Sequence, residues 1–296
     1  MKKRLNVDLI PAIRRFEIIS KGLTAGKPGG DYKSIFKGKG LEFDGYRVYN
    51  PDDDADLIDW KATIRSDKIL VKTYVEERDV NVFFLVDVSN SMIFGSTPKL
   101  KNEYAAEVIA SLSYAILEAG DSVGLSLFTD KIVSKVHLGK GRTQFYALTR
   151  SLLNPEYYGG NFDFNSACKF LLNYLKQDSV VIVISDFVGL GGDWIRRLEM
   201  ISKKFDVIGI MIRDPRDRTL PTDTNQIVIE DPYSNKSLTI EPGLIKDVYE
   251  DYIKKQEKDI TNEFLRVGSD FMSLSTDKSF VSPIMGLFRK RGLRWR

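Results

Sequence analysis

The stretch Asn81-Val-Phe-Phe-Leu-Val-Asp-Val-Ser-Asn-Ser-Met92 decides the fold of this chain. Its apolar run, Val82 to Val86, is short and stops at an Asp-x-Ser-x-Ser loop, Asp87 to Ser91. A helical pattern then begins at Lys101. Such a run, followed by turn residues and a helix, is typical of a central parallel strand with helices on both faces of its sheet. Ligands of these sheets bind beyond the carboxyl ends of the strands, where this loop falls.

The loop offers only oxygen atoms as ligands. Asp87 brings a carboxylate, and Ser89 and Ser91 bring hydroxyls at alternate positions. Hard divalent cations such as Mg²⁺ prefer oxygen ligands and leave positions for water or for a partner's group. An aspartate in a loop also commonly caps a helix or binds loop amides. The loop alone therefore leaves a metal site and a structural role open.

Composition sets limits on the class of protein. The 296 residues are 43% hydrophobic and 29% charged, as in ordinary globular chains, and the net charge of +3 is too small to indicate nucleic acid as a partner. No apolar run approaches the roughly 20 residues of a membrane span, and the amino terminus lacks the apolar stretch of a signal peptide, so a cytoplasmic location is predicted. The single cysteine, Cys168, lies among apolar residues at helical spacing and is predicted to be a core residue.

A regular alternation of strands and helices continues from the first strand. The predicted strands are 80–87, 123–128, 132–138, 180–185, 207–212 and 226–229, and the predicted helices are 101–119, 143–153, 164–175 and 193–204. Strand 132–138 follows a tight turn and is expected to be antiparallel, and Asp163 is a plausible cap for the helix that follows it. The pattern predicts an α/β fold with a doubly wound, mostly parallel sheet flanked by helices, of Rossmann-type topology.

Three regions are expected along the chain. Residues 1–78 hold a helix beginning near Pro11 and an unusual block that packs on the main domain, which is residues 79–232. Residues 233–296 bring a short strand, a long helix, a further strand and a basic tail that complete the same globule.

The block at 41–78 is rich in charges and aromatic residues. The favoured interpretation is a structural polar network, buried or at an interface, around an aromatic anchor, and the alternative is a docking surface for a partner. The residues of this network are Arg47, Asp59, Trp60, Arg65 and Lys72.

A second acid strengthens the metal interpretation. Asp186 ends the fully apolar strand 180–185, and if that strand neighbours the first one, Asp186 and Asp87 open onto the same crevice. The loop Gly159-Gly-Asn161 precedes a helix and is expected to reach the same place and supply a side-chain oxygen or an amide.

Several motifs resemble known families. Asp87-x-Ser89-x-Ser91, Gly160-Asn161 and Ile184-Ser-Asp186 together resemble the metal-ion-dependent adhesion site of von Willebrand factor A domains, in which three loops ligate one divalent cation. Over nearly the whole chain, Gly38-Lys-Gly-Leu-Glu-Phe-Asp-Gly-Tyr-Arg-Val-Tyr49, Ile58-Asp-Trp-Lys61 and Asp214-Pro-Arg216 resemble the DUF58 family. The resemblance implies a von Willebrand factor A-like domain that acts with a MoxR-type AAA+ ATPase in assembling or activating other proteins.

The resulting hypothesis is a non-enzymatic interaction module that binds Mg²⁺ or Mn²⁺ and a partner's acidic residue, the partner being the ATPase or its client. The expected ligands are Asp87, Ser89, Ser91, Asn161 and Asp186. Two positions depart from the families: adhesion sites carry Thr where this chain has Asn161, and DUF58 proteins commonly carry a basic residue at the position of Asp56.

Two other classes of function stay open, a metal-dependent hydrolase and a structural scaffold whose metal site is empty. Nucleotide binding is disfavoured because the sequence has no Walker loop, and the single histidine, His137, is expected to be structural. The basic run 289–296 is read as a solvated end, with peripheral contact to an anionic membrane as the alternative.

Overall fold

Strands and helices alternate along the computed structural model, which describes residues 5, 7–11, 13–14, 38–50, 53–78, 80–176, 178–234 and 236–294. The strands are β1 (Gly38–Val48), β2 (Leu70–Arg78), β3 (Asn81–Asp87), β4 (Ser122–Phe128), β5 (Ile132–Gly139), β6 (Ser179–Ser185), β7 (Asp206–Arg213), β8 (Ile227–Glu230), β9 (Ser237–Ile240) and β10 (Asp270–Ser275). The helices are α1 (Trp60–Thr63), α2 (Lys101–Glu118), α3 (Gly141–Leu152), α4 (Phe164–Tyr174), α5 (Trp194–Lys204), α6 (Pro215–Arg218), α7 (Pro242–Arg266) and α8 (Val281–Arg294).

The central sheet has six strands in the order β10-β7-β6-β3-β4-β5. All neighbours are parallel except β4 and β5, which form the expected antiparallel hairpin. The predicted α/β class is confirmed. Strands β3 and β6 are direct neighbours, with Val86 opposite Ile184, so the loops that follow them share one edge of the sheet.

Alternate residues of β3 enter two separate cores, as the period of a strand requires. Val82, Phe84 and Val86 pack with residues of α2, α3 and α8 on one face of the sheet. Phe83 and Leu85 pack with residues of α4, α5 and α7 on the other face. Because both faces are covered, β3 reads as a continuous apolar run in the sequence.

Local sequence features mark the end of α2 and the start of α4 beside the sheet. Gly120, in the left-handed conformation at φ 90°, follows the end of α2, and its amide donates to the carbonyl of Leu117. Asp163 caps α4 as predicted, because its Oδ1 accepts from the amides of Asn165 and Ser166 at 2.9 and 3.2 Å.

One predicted strand is placed wrongly. Residues 226–229 were expected to complete the central sheet, but β8 pairs with β9 in a separate antiparallel hairpin, and β10 holds the sheet edge beside β7. Exposed apolar residues on this hairpin, among them Val228 and Leu238, look the same in sequence as residues of a sheet strand. The expected boundary between 232 and 233 falls at the tip of this hairpin.

Strands β1 and β2 form a second two-stranded ribbon, which carries much of the block at 41–78. Two ion pairs join the strands to the segment between them. Arg47 on β1 donates to both carboxylate oxygens of Asp53, and the ammonium of Lys72 on β2 lies 3.4 Å from Oδ2 of Asp59. Trp60, however, is 62% exposed, so it is not a buried anchor of this network.

The amino-terminal segment contacts the main sheet domain. Residues 9–11, 13 and 14 are helical, and the amide of Asp8 donates to Oε1 of Glu107 on α2 at 3.0 Å. The rest of the helix expected near Pro11 lies outside the described residues.

Cys168 is a buried free cysteine on α4, and it is a core residue as predicted. Burial raises the pKa of its thiol, which lowers the fraction of reactive thiolate. We expect a thiol reagent such as Ellman's reagent to label native protein at least about 100-fold more slowly than protein unfolded in guanidinium. Rapid labelling of one thiol per chain in the native state would contradict this burial.

Candidate metal site

Asp87, the last residue of β3, is fully buried and held from two strands. Its Oδ1 accepts from the amide of Ser89 at 2.9 Å, and its Oδ2 accepts from the hydroxyl of Ser185 at 2.6 Å. Ser185 ends the neighbouring strand β6. The pairing of β3 with β6 therefore fixes the carboxylate at the edge of the sheet.

Three of the other predicted ligands, Ser89, Ser91 and Asp186, lie beside Asp87 and are also buried. The hydroxyl oxygens of Ser89 and Ser91 are 3.3 Å apart, and the Ser91 hydroxyl donates to Oδ1 of Asp186 at 3.0 Å. The same carboxylate oxygen accepts from the amide of Val188 at 3.0 Å. The structure thus brings together Asp87, Ser89, Ser91 and Asp186.

Asn161 has a different position. Its loop does lie against the Asp-x-Ser-x-Ser loop, since the amide of Asn90 donates to the carbonyl of Gly160 at 3.0 Å and the amide of Gly160 donates to Oδ1 of Asn90 at 2.8 Å. Yet Asn161 is exposed, whereas the other four predicted residues are buried. Asn90, Gly160 and Asn161 form an exposed rim on this side of the cluster.

A lysine that sequence reasoning missed completes the charged part of the cluster. Lys101, the first residue of α2, is 2% exposed, and its ammonium donates to Oδ2 of Asp186 at 2.7 Å. It also lies 3.0 Å from Oδ2 of Asp217 on α6. The sequence gives no signal for this contact, because the first lysine of a helix is usually exposed.

A tyrosine hydroxyl, also missed, reaches the serines from the β8–β9 hairpin. The Tyr233 oxygen lies 2.9 Å from the hydroxyl oxygen of Ser91, 3.2 Å from that of Ser89 and 3.1 Å from the carbonyl oxygen of Val188. Asn90 joins the hairpin tip to the loop, because its side-chain amide donates to the carbonyl of Pro232 at 2.9 Å.

The electrostatics of the cluster reflect burial and crowded negative charge. Burial, with a further contribution from Asp186, raises the pKa of Asp87 to about 7. Burial alone would lower the pKa of Lys101, but the carboxylates of Asp186 and Asp217 outweigh it and raise that pKa above its ordinary value. Burial also raises the pKa of the Tyr233 hydroxyl, and Asp87 adds to the effect.

The donor set suits a hard divalent cation. The ammonium of Lys101 pairs with the carboxylates of Asp186 and Asp217, whereas the buried carboxyl of Asp87 is bonded by the amide of Ser89 and the hydroxyl of Ser185. Negative charge on a buried carboxyl is costly, and a dication would neutralise it. In the described part of the chain no three Asp, Glu, His or Cys residues cluster as ligands, so a cation here would depend on hydroxyl oxygens as well as carboxylates.

His137 has a structural contact, as expected for this residue. Its Nδ1 lies 2.7 Å from the hydroxyl of Tyr174, and the two rings lie 5.7 Å apart between centroids. This pair joins β5 to α4.

The mostly parallel sheet, with the Asp-x-Ser-x-Ser loop after β3 and an acid after the adjacent β6, defines a von Willebrand factor A-like domain. More particularly, the chain belongs to the family described as "Protein of unknown function DUF58", whose model matches residues 45–260.

The chain is similar to several proteins known from sequence and from solved structures. Uncharacterized protein Rv1480 of Mycobacterium tuberculosis is 27% identical over 290 residues, which cover 96% of this chain and 90% of the relative. The conserved hypothetical protein BatB from Bacteroides thetaiotaomicron, a solved structure, is 15% identical, with 72% of this chain and 98% of that chain covered and a TM-score of 0.50. The SpRpn10 VWA domain aligns with 46% of this chain and 76% of its own length, at 16% identity and a TM-score of 0.34.

Among the described residues, no helix combines the length and the apolar character needed to cross a bilayer. The cytoplasmic location stays a prediction.

Proposed function

We propose that this protein is an interaction module that binds a partner's carboxylate through Mg²⁺ or Mn²⁺ held at the carboxyl edge of β3 and β6. The observation that carries the proposal is the buried convergence of the side-chain oxygen atoms of Asp87, Ser89, Ser91 and Asp186. A bound dication supplies a Lewis-acidic centre with exchangeable positions for a partner's oxygen.

The chain's own residues divide the work. Asp87, Ser89 and Ser91 present oxygen atoms, while Asp186 orients the Ser91 hydroxyl by accepting a hydrogen bond from it at 3.0 Å. Lys101 fixes the other oxygen of Asp186 and limits the net charge. The exposed rim of Asn90, Gly160 and Asn161 is the side from which a partner's Glu or Asp would approach.

The proposed partner is a MoxR-type AAA+ ATPase or its client, as the family resemblance implies. The segment that joins β1 to β2 supports a second contact surface, because Trp60 on α1 and Ile64 directly after it are exposed apolar residues. Aromatic residues of this kind are enriched in the centres of protein interfaces.

Calorimetric titration of Mg²⁺ and Mn²⁺ tests the proposal. We expect wild type to bind one cation, and Asp87→Ala to lose at least about 100-fold in affinity because a ligand is removed and not merely reoriented. Asp87→Asn keeps the side-chain volume and is expected to show a similar loss. Asp130→Ala removes an exposed acid in the β4–β5 turn and should bind as wild type does.

Thermal melting of the same proteins serves as the fold control. If folded wild type binds neither cation, these residues have only a structural role and the proposal is wrong. If Asp87→Ala binds as tightly as wild type, the cation is held elsewhere.

A further inference from the structure

We infer that Tyr233 is a ligand of the cation, supplying from the β8–β9 hairpin the hydroxyl that the Asn161 loop does not provide. The inference rests on the proposed function, since it names a further donor at the same site. It assigns a role to a residue that lies 142 positions from Ser91 in the sequence.

Three hydroxyl oxygens form a triangle with the spacing of neighbouring ligands on a small cation. Tyr233 lies 2.9 Å from Ser91 and 3.2 Å from Ser89, and the two serines are 3.3 Å apart. Neighbouring oxygens of an octahedral Mg²⁺ with bonds of about 2.1 Å are separated by about 3.0 Å. The tyrosine therefore stands at ligand spacing from both serines.

The loop after β6 is shaped to admit the tyrosine ring. Gly189 adopts φ 89°, and a Cβ added there would lie 3.0 Å from Cε2 of Tyr233, so a larger residue would crowd the ring. The carbonyl of Val188 lies 3.1 Å from the hydroxyl. This close approach places the phenol in a fitted slot rather than loosely over the cluster.

The tip of the hairpin is itself held in one conformation. Asp231 accepts from the amide of Tyr233 at 3.0 Å and from the hydroxyl of Ser234 at 2.5 Å. Asn90 binds the carbonyl of Pro232 at 2.9 Å, from within the Asp-x-Ser-x-Ser loop. Because the hairpin tip is already ordered, the Tyr233 hydroxyl could bind the cation without the entropy cost of ordering a mobile side chain.

The position of Asn161 supports the same assignment. Asn161 is an exposed amide at the rim, whereas the hydroxyls of Ser89 and Ser91 are buried. Tyr233 places a third neutral hydroxyl beside Ser89 and Ser91. A neutral phenol adds no negative charge to the buried carboxyl groups of Asp87 and Asp186.

Titration of Mn²⁺ into full-length wild type, Tyr233→Phe, Asn161→Ala and Tyr252→Phe tests the inference. Tyr233→Phe, which keeps the ring in the Gly189 slot, is expected to bind at least about 10-fold more weakly. Asn161→Ala is expected to stay within about twofold of wild type. Tyr252→Phe changes an exposed tyrosine of α7 and is the matched control.

A second readout follows the phenol directly. Terbium(III), a luminescent substitute for divalent cations, is excited by energy transfer from nearby tyrosines. We expect Tyr233→Phe to lose most of the sensitised emission at saturating terbium and Tyr252→Phe to retain it.

The outcomes distinguish failure of the inference from failure of the proposed function. If Asp87→Ala abolishes Mn²⁺ binding while Tyr233→Phe binds as wild type does, the inference is overturned and the proposed function stands. Tighter binding by Tyr233→Phe also overturns it, because the hairpin would then compete with the cation. Absence of binding by wild type overturns both.

Discussion

Replacing Lys101 by methionine is expected to lower the free energy of unfolding by about 3–5 kcal/mol in the presence of EDTA. Methionine keeps the length of the side chain and removes the ammonium. Asp186, which is fully buried, then loses the partner that lies 2.7 Å from its Oδ2. Removing one partner of a buried pair leaves an uncompensated charge, and that charge is the origin of the loss.

Urea unfolding gives the measurement, and a lysine on α7 gives the control. Lys254 is also in ion pairs, with Glu250 and Asp251, but its side chain is 72% exposed. Lys254→Met should therefore change the free energy of unfolding by no more than about 0.5–1 kcal/mol. A loss below about 1 kcal/mol in Lys101→Met would show that the buried pair is not important for folding.

A second substitution identifies the charge that causes the loss. In the Lys101→Met background, Asp186→Asn removes the unpaired carboxylate, so the double variant should be more stable than Lys101→Met alone. Saturating Mg²⁺ should stabilise Lys101→Met more than wild type, because the variant carries a larger excess of negative charge for the cation to neutralise. Strictly additive losses in the double variant would argue against direct coupling of these two residues.

The sheet and part of the site follow from local features of the sequence. Two apolar runs, 82–86 and 180–184, each followed within two residues by an acid, predict β3 and β6 as central strands, and their pairing brings Asp87 and Asp186 to one edge. Asp163 and Gly120 mark helix ends by chemistry that acts within a few residues. Such features are readable because the cause and the structure lie close together in the chain.

The contacts that sequence reasoning missed are long-range. Lys101 meets Asp186 across 85 positions and Tyr233 meets Ser89 across 144, and neither residue differs in its local pattern from a surface residue. Strand β8 was misplaced for a similar reason, since a four-residue strand does not show by itself whether it pairs with the central sheet or with β9.

The second large effect is expected for Phe264→Ala in α7, with a loss of about 3–5 kcal/mol. The Phe264 ring is fully buried and lies 4.8 Å from the ring of Phe271 and 5.6 Å from that of Phe187, measured between centroids. Phe187 follows Asp186 and adopts φ 55°, which is uncommon for an aromatic residue. Phe264 therefore supports both the core on this face of the sheet and the backbone at Phe187, next to Asp186.

The neighbouring Leu265, whose side chain is 52% exposed, gives a control on the same helix, and Leu265→Ala should cost less than about 1 kcal/mol in urea unfolding.

Gly209 on β7 sharpens the test, because a Cβ added there would lie 2.7 Å from Cε1 of Phe264 and 2.6 Å from Cδ2 of Phe271. Gly209→Ala alone should cost about 1–3 kcal/mol through overpacking. In the Phe264→Ala background the new methyl group enters space that the ring has left, so the two losses should sum to more than the double variant loses, by at least about 0.5 kcal/mol. Additive losses would mean that the Phe264 ring does not limit the space at Gly209. The ring of Phe271 would then be the group that prevents a larger residue at that position.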